Sequence, residues 1–176
     1  AFVSPGVPFA GGTLGRDVNY LNEMSMAKKL NTRLLSSIKP SNENHKQWIY
    51  HRLKHIILNK KIKRVTIWGL SYTENTDTLR RSFSLEVSSW LKNYDIKVSG
   101  FDSNIKKFSP KVSKIIKQLS SPISEINNCD VLIVLGKSKD FSNISANTIK
   151  SLNKKLFIID PNYFCNHFEE IYKSKY

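Results

Sequence analysis

Three histidines on one predicted helix come nearest to the spacing of a metal site in this sequence. His51 and His55 lie four residues apart, and His45 belongs to the same helical run. Histidines at positions i and i+4 of a helix can bind one metal ion. Arg52 and Lys54 lie between them, and their charges favour a solvated, basic helix face. We therefore predict no metal site.

The two cysteines, Cys129 and Cys165, lie far apart in the sequence and form no C-x-x-C motif. Their spacing indicates neither a metal framework nor a disulfide scaffold. Cys129 directly precedes an apolar run that is typical of a strand, so we expect a buried thiol at this position.

Asp102 and Asp160 each follow an apolar run that is typical of a buried strand. In open α/β sheets, ligands bind beyond the carboxyl ends of the strands, where a carboxylate can meet a ribose or a base. An aspartate at a strand end also commonly caps the loop or helix that follows it. We favour capping, and the sequence leaves both interpretations open.

The placement of these aspartates at strand ends depends on a regular alternation of strands and helices after Lys63. Apolar runs predict four strands, at residues 64–70, 96–101, 131–135 and 156–159. Helical patterns occur at 82–93, 112–119 and about 165–173, and another helix ends at 148–153. Such alternation indicates right-handed βαβ units. The predicted fold class is α/β, with a long N-terminal helical segment followed by a mostly parallel, Rossmann-like sheet.

The first 60 residues have the pattern of a loop followed by helices. Residues 1–16 are rich in Gly and Pro, and Asp17 is the predicted N-cap of a helix. Asn31 and Pro40 are predicted to interrupt the helical run, which continues to about residue 58. No element in the sheet region is left to cover its Leu and Ile stripe, so we expect another subunit or domain to do so. The predicted domains are residues 1–60 and 61–176.

A formal net charge of +14 distinguishes this chain. Clustered Lys and Arg would indicate a nucleic acid or an anionic membrane as partner. The basic residues are scattered, however, and no nucleic-acid-binding motif occurs, so we expect neither partner. A moderate preference for anions such as nucleotide phosphates remains compatible with the composition. Without a membrane-length apolar run or a signal-peptide pattern, the expected location is cytoplasmic.

Three stretches resemble the C-terminal half of the UDP-glucose/GDP-mannose dehydrogenase family. Residues 9–17 (FAGGTLGRD) are similar to the family's loop F-G-G-S-C-x-P-K-D. Residues 65–85 (VTIWGLSYTENTDTLRRSFSL) are similar to its strand followed by G-L-(A/S)-(F/Y)-K-x-N-T-D-D-x-R-E-S-P-(S/A)-L. Residues 130–135 and 158–162 resemble its later strand A-D-x-x-V-(I/V) and its final strand, which ends in D-G-R-N.

This resemblance implies part of an NAD-dependent nucleotide-sugar 6-dehydrogenase. The family has an N-terminal Rossmann domain for NAD, a central dimerisation helix and a C-terminal α/β domain for the nucleotide sugar. Gly69, Leu70 and Ser71 do not form a G-x-G-x-x-G fingerprint after the first strand. NAD is therefore expected to bind mainly to a domain that this chain does not include. The implied partners are that Rossmann domain, a nucleotide sugar such as a UDP-sugar, and a second copy of the chain in a homodimer. Because the sequence opens in mid-pattern without Met, we expect a longer chain.

The resemblance also assigns roles to individual residues. Asp17 matches the family's aspartate that helps to activate the hydrolytic water, and Asn162 matches the last residue of D-G-R-N, near the cofactor. The residues expected to contact the nucleotide sugar are Gly11, Gly12, Arg16, Tyr72, Asn75 and Arg80.

The departures from the family pattern bear on catalysis. The position of the catalytic cysteine, which forms the family's thioester intermediate, is taken by Leu14 or is deleted, Thr73 replaces a lysine and Pro161 replaces an arginine. A thioester cannot form on leucine. Three interpretations stay open: a non-catalytic nucleotide-sugar-binding or dimerisation module, an enzyme that catalyses a single oxidation or another reaction, and an enzyme with its nucleophile elsewhere.

Overall fold

A five-stranded parallel sheet organises residues 60–176 in the computed structural model, which describes residues 8–9, 13–71, 75–168 and 171. The strands lie in the order β3-β2-β1-β4-β5, and every neighbouring pair is parallel. Their bounds are Arg64–Trp68 (β1), Lys97–Phe101 (β2), Lys117–Gln118 (β3), Val131–Val134 (β4) and Phe157–Ile159 (β5). The predicted fold class is confirmed, including the helical segment that precedes the sheet.

The central strands form where the sequence is apolar on both faces. Every residue of β4 is buried, which is typical of a strand covered on both sides of a parallel sheet. Trp68, at the end of β1, stacks on Phe141 with ring centroids 5.0 Å apart. Its indole N–H donates a hydrogen bond to the carbonyl of Pro122 at 2.9 Å, so this large side chain is buried without leaving its polar atom unpaired.

The prediction of a helix at residues 112–119 is wrong. A short helix, α4, spans Pro110–Ser113 instead, and β3 follows at Lys117–Gln118. Ser109 caps this helix by accepting a hydrogen bond from the N–H of Val112, and proline favours the first helical turn. Residues 117 and 118 then pair with β2 at Ser99 and Gly100, an interaction that local periodicity does not reveal.

The remaining helices connect the strands in the predicted order. Within the described residues they are α3 (Phe83–Lys92), α5 (Lys139–Ser142) and α6 (Ala146–Leu152), with 3-10 helices at Ile126–Asn128 and Asn166–Phe168. Helix α3 packs against β2, and α6 packs against the first 3-10 helix. The last helix, predicted at about 165–173, contains the 3-10 helix at Asn166–Phe168, and its later residues, apart from residue 171, lie outside the described ones.

Two helices, α1 (Leu14–Ala27) and α2 (Arg33–Asn59), form the N-terminal part and pack against each other. The predicted interruption near Asn31 is confirmed, whereas α2 continues through Pro40 without a break. Asp17 as N-cap is wrong: α1 begins at Leu14, and the N–H of Asp17 donates to the carbonyl of Thr13 at 2.9 Å. A carboxylate is favourable throughout the first turn because of the helix dipole, so its presence alone does not identify the first residue.

The chain divides into two compact units, Ala1–Asn59 and Lys60–Tyr176. Helices α1 and α2 make up most of the described part of the first unit, and the parallel sheet with its helices makes up the second.

Candidate functional site

The carboxyl ends of β1 and β4 meet at the centre of the sheet. In the sheet, β2 lies beyond β1 on one side and β5 lies beyond β4 on the other. The chain thus extends the sheet in opposite directions from this point, which is the topological switch point at which such sheets bind ligands. Gly69 follows β1 with φ +81°, and a Cβ atom built on it would lie 2.3 Å from Cα of Gly136, which follows β4. Only glycine fits Gly69, because a side chain would meet backbone at this distance.

The loop after β1 is braced by the carboxylate that follows β2. Oδ2 of Asp102 accepts hydrogen bonds from the N–H groups of Leu70 at 2.9 Å and Ser71 at 2.7 Å. Its Oδ1 accepts from the N–H of Asn104 at 3.0 Å. These bonds support the capping interpretation of Asp102, and they fix the first residues of the loop.

Two serines at the start of α3 hold the same loop from the other side. The hydroxyl of Ser82 donates to the carbonyl of Leu70 at 2.6 Å, and the hydroxyl of Ser84 donates to the carbonyl of Gly69 at 2.7 Å. Both serines are buried. The segment from Ser71 to Arg81 is therefore attached at both ends to the sheet edge, a role for Ser82 and Ser84 that the sequence analysis missed. Their position immediately before an apolar helical pattern was the available signal.

Within that segment the structure exposes two of the predicted substrate-binding residues. Asn75 is exposed with φ +59°, and Arg80 is exposed next to Arg81, which has φ +60°. Non-glycine residues in the left-handed region are uncommon and often mark functional loops. Tyr72, predicted to contact the same ligand, lies outside the described residues.

A buried amide lies in the loop after β5. Asn162 is only 7% exposed, and neither its Nδ2 nor its Oδ1 has a hydrogen-bond partner among the described residues. Leaving a buried polar group unpaired costs about 1–3 kcal/mol. The nearby carboxylate of Asp160 binds other groups: its Oδ1 and Oδ2 accept from the N–H groups of Phe164 and Cys165 at 3.1 and 2.7 Å. Asn162 is thus available to a ligand, whereas Asp160 caps its loop.

Both thiols are protonated at neutral pH. Burial raises the pKa of Cys129 from 9.0 to about 11, in agreement with the predicted buried thiol. Burial, together with the nearby carboxylate of Asp160, raises the pKa of Cys165 to about 12. Since the thiolate is the nucleophilic form, neither cysteine is poised to attack a substrate.

In the first unit, the residues predicted for the active-site loop lie at the start of α1. Arg16 Nε donates to Asp17 Oδ1 at 3.2 Å in an exposed ion pair, and Leu14 is 51% exposed. Gly11 and Gly12 lie outside the described residues. The structure thus brings Arg16 and Asp17 together, while Asn75, Arg80 and Asn162 belong to the second unit.

Asn42 is a third residue whose role the sequence did not reveal. It is buried in α2, and its amide binds both backbone polar groups of Phe9. Asn42, Ile49, Leu53 and Ile56 are the buried residues of α2. Their separations of seven, four and three residues lie on one helix face, so a polar residue on this apolar face was the signal.

Two kinds of feature are missing from the part of the chain that the structure describes. It contains no group of three His, Cys, Asp or Glu side chains close enough to hold a metal ion. None of its helices combines the length and the apolar character needed to cross a membrane.

A match to a known protein family covers most of the second unit. The UDP-glucose/GDP-mannose dehydrogenase family, UDP binding domain, matches residues 66–167. The chain belongs to this dehydrogenase family. The matched residues run from β1 to the loop that holds Asn162, and they include the braced segment from Ser71 to Arg81.

Individual members of the dehydrogenase family extend the likeness into the first unit. The UDP-glucose 6-dehydrogenase of Rickettsia prowazekii (strain Madrid E) is 25% identical over 164 residues, which cover 90% of this chain and 37% of that protein. The GDP-mannose 6-dehydrogenase of Azotobacter vinelandii is 33% identical over 105 residues, 59% of this chain and 23% of the relative. The chain therefore spans well under half the length of these relatives.

A solved structure of a family member has the same fold. The UDP-glucose dehydrogenase from the hyperthermophilic archaeon Pyrobaculum islandicum superimposes with a TM-score of 0.74 at 16% identity, over 93% of this chain and 37% of that one.

Proposed function

We propose that this chain is the C-terminal part of a nucleotide-sugar 6-dehydrogenase-like protein, and that residues 61–176 form its nucleotide-sugar-binding domain. The observation that carries this proposal is the segment from Ser71 to Arg81, which is tied to the carboxyl edge of the sheet by Asp102, Ser82 and Ser84. Loop ends that are held before the ligand arrives favour tight binding, because less conformational freedom is lost on binding.

Asn75, Arg80 and Tyr72 are the proposed contacts to the UDP-sugar on this loop. The guanidinium group of Arg80 can make two parallel charge-assisted hydrogen bonds to a phosphate. Thr73 lacks the ammonium group that is common at its position in the family. We therefore expect a weaker affinity than is usual for this site, by about 1.5–3 kcal/mol, the contribution of one hydrogen bond to a charged group.

The Gly-rich loop before α1 is the proposed contact region for the sugar. Gly11 and Gly12 allow backbone to approach it, Arg16 supplies positive charge, and Asp17 orients a water molecule. Position by position, the loop motif places Thr13 rather than Leu14 opposite the family's cysteine, so this loop offers a hydroxyl group and hydrocarbon where a thiol would be needed. Cys129 and Cys165 do not replace that thiol, because both are buried in the second unit with raised pKa values. We propose that no thioester forms, and that any surviving oxidation stops at the aldehyde.

The unpaired amide of Asn162 fits a contact to a dinucleotide. When bound, NAD would supply the hydride acceptor for oxidation of a sugar alcohol. A carboxamide can both donate to and accept from such a ligand, and burial makes each of these bonds more favourable. The rest of the NAD site is proposed to belong to a domain that this chain does not include.

The two N-terminal helices are proposed to form a homodimer interface. Among the described residues of α1, α2 and their connection, nine large apolar side chains are exposed: Leu14, Tyr20, Leu21, Met24, Met26, Leu30, Leu34, Trp48 and Leu58. Leu34 is 82% and Met26 79% exposed. An apolar surface of this kind is typical of an interaction site.

Titration calorimetry of the chain with UDP tests the nucleotide-binding proposal. We expect saturable binding that Arg80→Gln weakens about tenfold or more, as the loss of one charged hydrogen bond predicts. Arg52→Gln in α2 removes the same charge from the other unit and serves as the control. Absence of heat, together with an unchanged melting temperature in excess UDP, would exclude the proposal.

The second candidate function is a non-catalytic nucleotide-sugar-binding or dimerisation module, which the lack of a cysteine in residues 9–17 favours. The longer protein, supplied with NAD and UDP-sugars, distinguishes the candidates through the NADH formed per sugar consumed. A module forms none, and a single oxidation forms one, with an aldehyde that a hydrazine reagent traps. Two NADH per sugar without trapped aldehyde would contradict our interpretation of this loop.

A further inference from the structure

A cavity lies toward the edge of the sheet opposite the proposed nucleotide site. Its volume is about 590 Å³, within the range of small-molecule pockets. It is formed by the amino ends of β1 and β2, the residues just after α3, the segment that leads into β3, and the residues before β4. In a parallel sheet all strand amino ends lie at one edge, so this cavity lies toward the edge opposite Gly69 and Gly136.

The lining of this amino-edge cavity is strongly basic. Two acidic residues, Asp95 and Glu125, are outnumbered by five basic ones: Arg64, Lys92, Lys97, Lys114 and Lys117. Lys117 pairs with Glu125, and Nζ of Lys92 donates to the carbonyl of Lys114. Within the described part of the chain, the ammonium groups of Lys97 and Lys114 have no carboxylate partner. Two exposed cations are thus free to bind an anion.

The wall between these lysines carries hydroxyl groups rather than an apolar surface. Thr66 of β1 and Ser99 of β2 line the cavity, and their hydroxyl oxygens lie 3.1 Å apart in a buried hydrogen bond. Side chains facing the interior of a parallel sheet are normally apolar, so this pair departs from the pattern of its strands. Both residues are buried, and the Thr66 hydroxyl also contacts the Cys129 thiol, so this pair makes the floor of the cavity polar.

We propose that the amino-edge cavity binds a small anion carrying a diphosphate or two phosphate groups, held by Lys97 and Lys114. A cavity of this volume with a hydroxyl wall fits a compact ligand better than it fits a nucleic acid, which needs an extended basic track. The basic residues of this site account for part of the chain's formal net charge of +14. It shares no residue with the carboxyl-edge site, so it does not depend on the proposed function.

Calorimetric titration of the chain with inorganic pyrophosphate, at about 0.15 M salt to screen exposed charges, tests this site. We expect saturable binding of one pyrophosphate per chain. The double variant Lys97→Gln/Lys114→Gln should lower the affinity by at least about tenfold, the equivalent of one charged hydrogen bond. Both lysines are exposed, so the variant is expected to fold, and circular dichroism verifies this.

A second double variant tests whether pyrophosphate binds in the amino-edge cavity or elsewhere on the basic surface. Lys28→Gln/Lys54→Gln removes the same charge from exposed positions of the first unit and should leave the affinity within about twofold, since distant exposed charges are screened. Equal weakening by both double variants, or heats that never saturate, would each overturn the proposal.

Discussion

The side-chain amide of Asn42 binds both backbone polar groups of Phe9, across 33 residues of sequence. Its Oδ1 accepts from the N–H of Phe9 at 2.8 Å, and its Nδ2 donates to the carbonyl of Phe9 at 2.9 Å. This pair of bonds attaches the Gly-rich N-terminal segment to α2. It is the contact that fixes residue 9 in the family-like loop at residues 9–17.

Replacing Asn42 by alanine should lower the free energy of unfolding by about 1–3 kcal/mol, because both partners on Phe9 lose a hydrogen bond in a partly buried setting. Urea unfolding measures the change. Asn44→Ala is the matched control, since Asn44 is exposed on the same helix and should change the stability by no more than about 0.5 kcal/mol. Equal effects of the two substitutions would show that the contact with Phe9 contributes nothing.

Replacing Gly69 by alanine should prevent the chain from folding or destabilise it severely. Residue 69 has a positive φ, and the added Cβ would lie 2.3 Å from the backbone of Gly136. The ends of β1 and β4 would therefore have to separate. Gly15→Ala is the control: its Cβ would meet only Phe9 Cε2 at 3.8 Å, and alanine stabilises a helix by roughly 0.5–1 kcal/mol relative to glycine. Melting temperatures that shift in the same direction would contradict this account of the switch point.

The two buried thiols should make the protein less stable at alkaline pH. Thiols of the unfolded chain ionise near the ordinary pKa of 9.0, whereas those of the folded chain stay protonated up to about 11 for Cys129 and about 12 for Cys165. The folded state is therefore favoured fully below pH 9, and this contribution is lost as the pH rises from there toward the folded pKa values.

Urea unfolding at about pH 8 and about pH 10, compared between the parent chain and Cys129→Ala or Cys165→Ala, isolates this contribution from that of Lys and Tyr. Each variant should lose less stability than the parent over this interval. Parallel losses in all three proteins would mean that the thiols are accessible to ionisation in the folded state.

The proposed homodimer predicts that a charge on the exposed apolar surface of α2 weakens self-association. Leu34→Glu should raise the dimer dissociation constant at least about tenfold, because a stable interface on the order of 1,000 Å² cannot accommodate an unpaired carboxylate in its apolar core. Sedimentation equilibrium measures it. Asn44→Glu introduces the same charge at a polar, exposed position and should have a smaller effect. A parent chain that sediments as a monomer at high concentration would exclude the interface.

The alternation of strands and helices could be predicted from sequence because it depends on local pattern. β1, β2, β4 and β5 were each predicted to within two residues. A short apolar run between turn residues must be buried, and a strand at the centre of a sheet buries it on both faces. The family resemblance rested on the same kind of local information, in the motif at residues 65–85. Residues 66–167 match the family's UDP binding domain, as that motif indicated.

Elements that exist only through long-range contacts required the tertiary structure. β3 consists of Lys117 and Gln118, whose polar character gives no strand signal, and it forms because β2 offers an unpaired edge. Asp102 fits either a ligand contact or a cap by sequence. In the structure its Oδ1 accepts from Asn104 in the loop that follows, as a cap does, and its Oδ2 accepts from Leu70 and Ser71 in the loop after β1. The same holds for the unpaired amide of Asn162 and for the lysines around the amino-edge cavity. Hydrogen-bond satisfaction and charge proximity depend on which distant residues meet, and no local pattern encodes that.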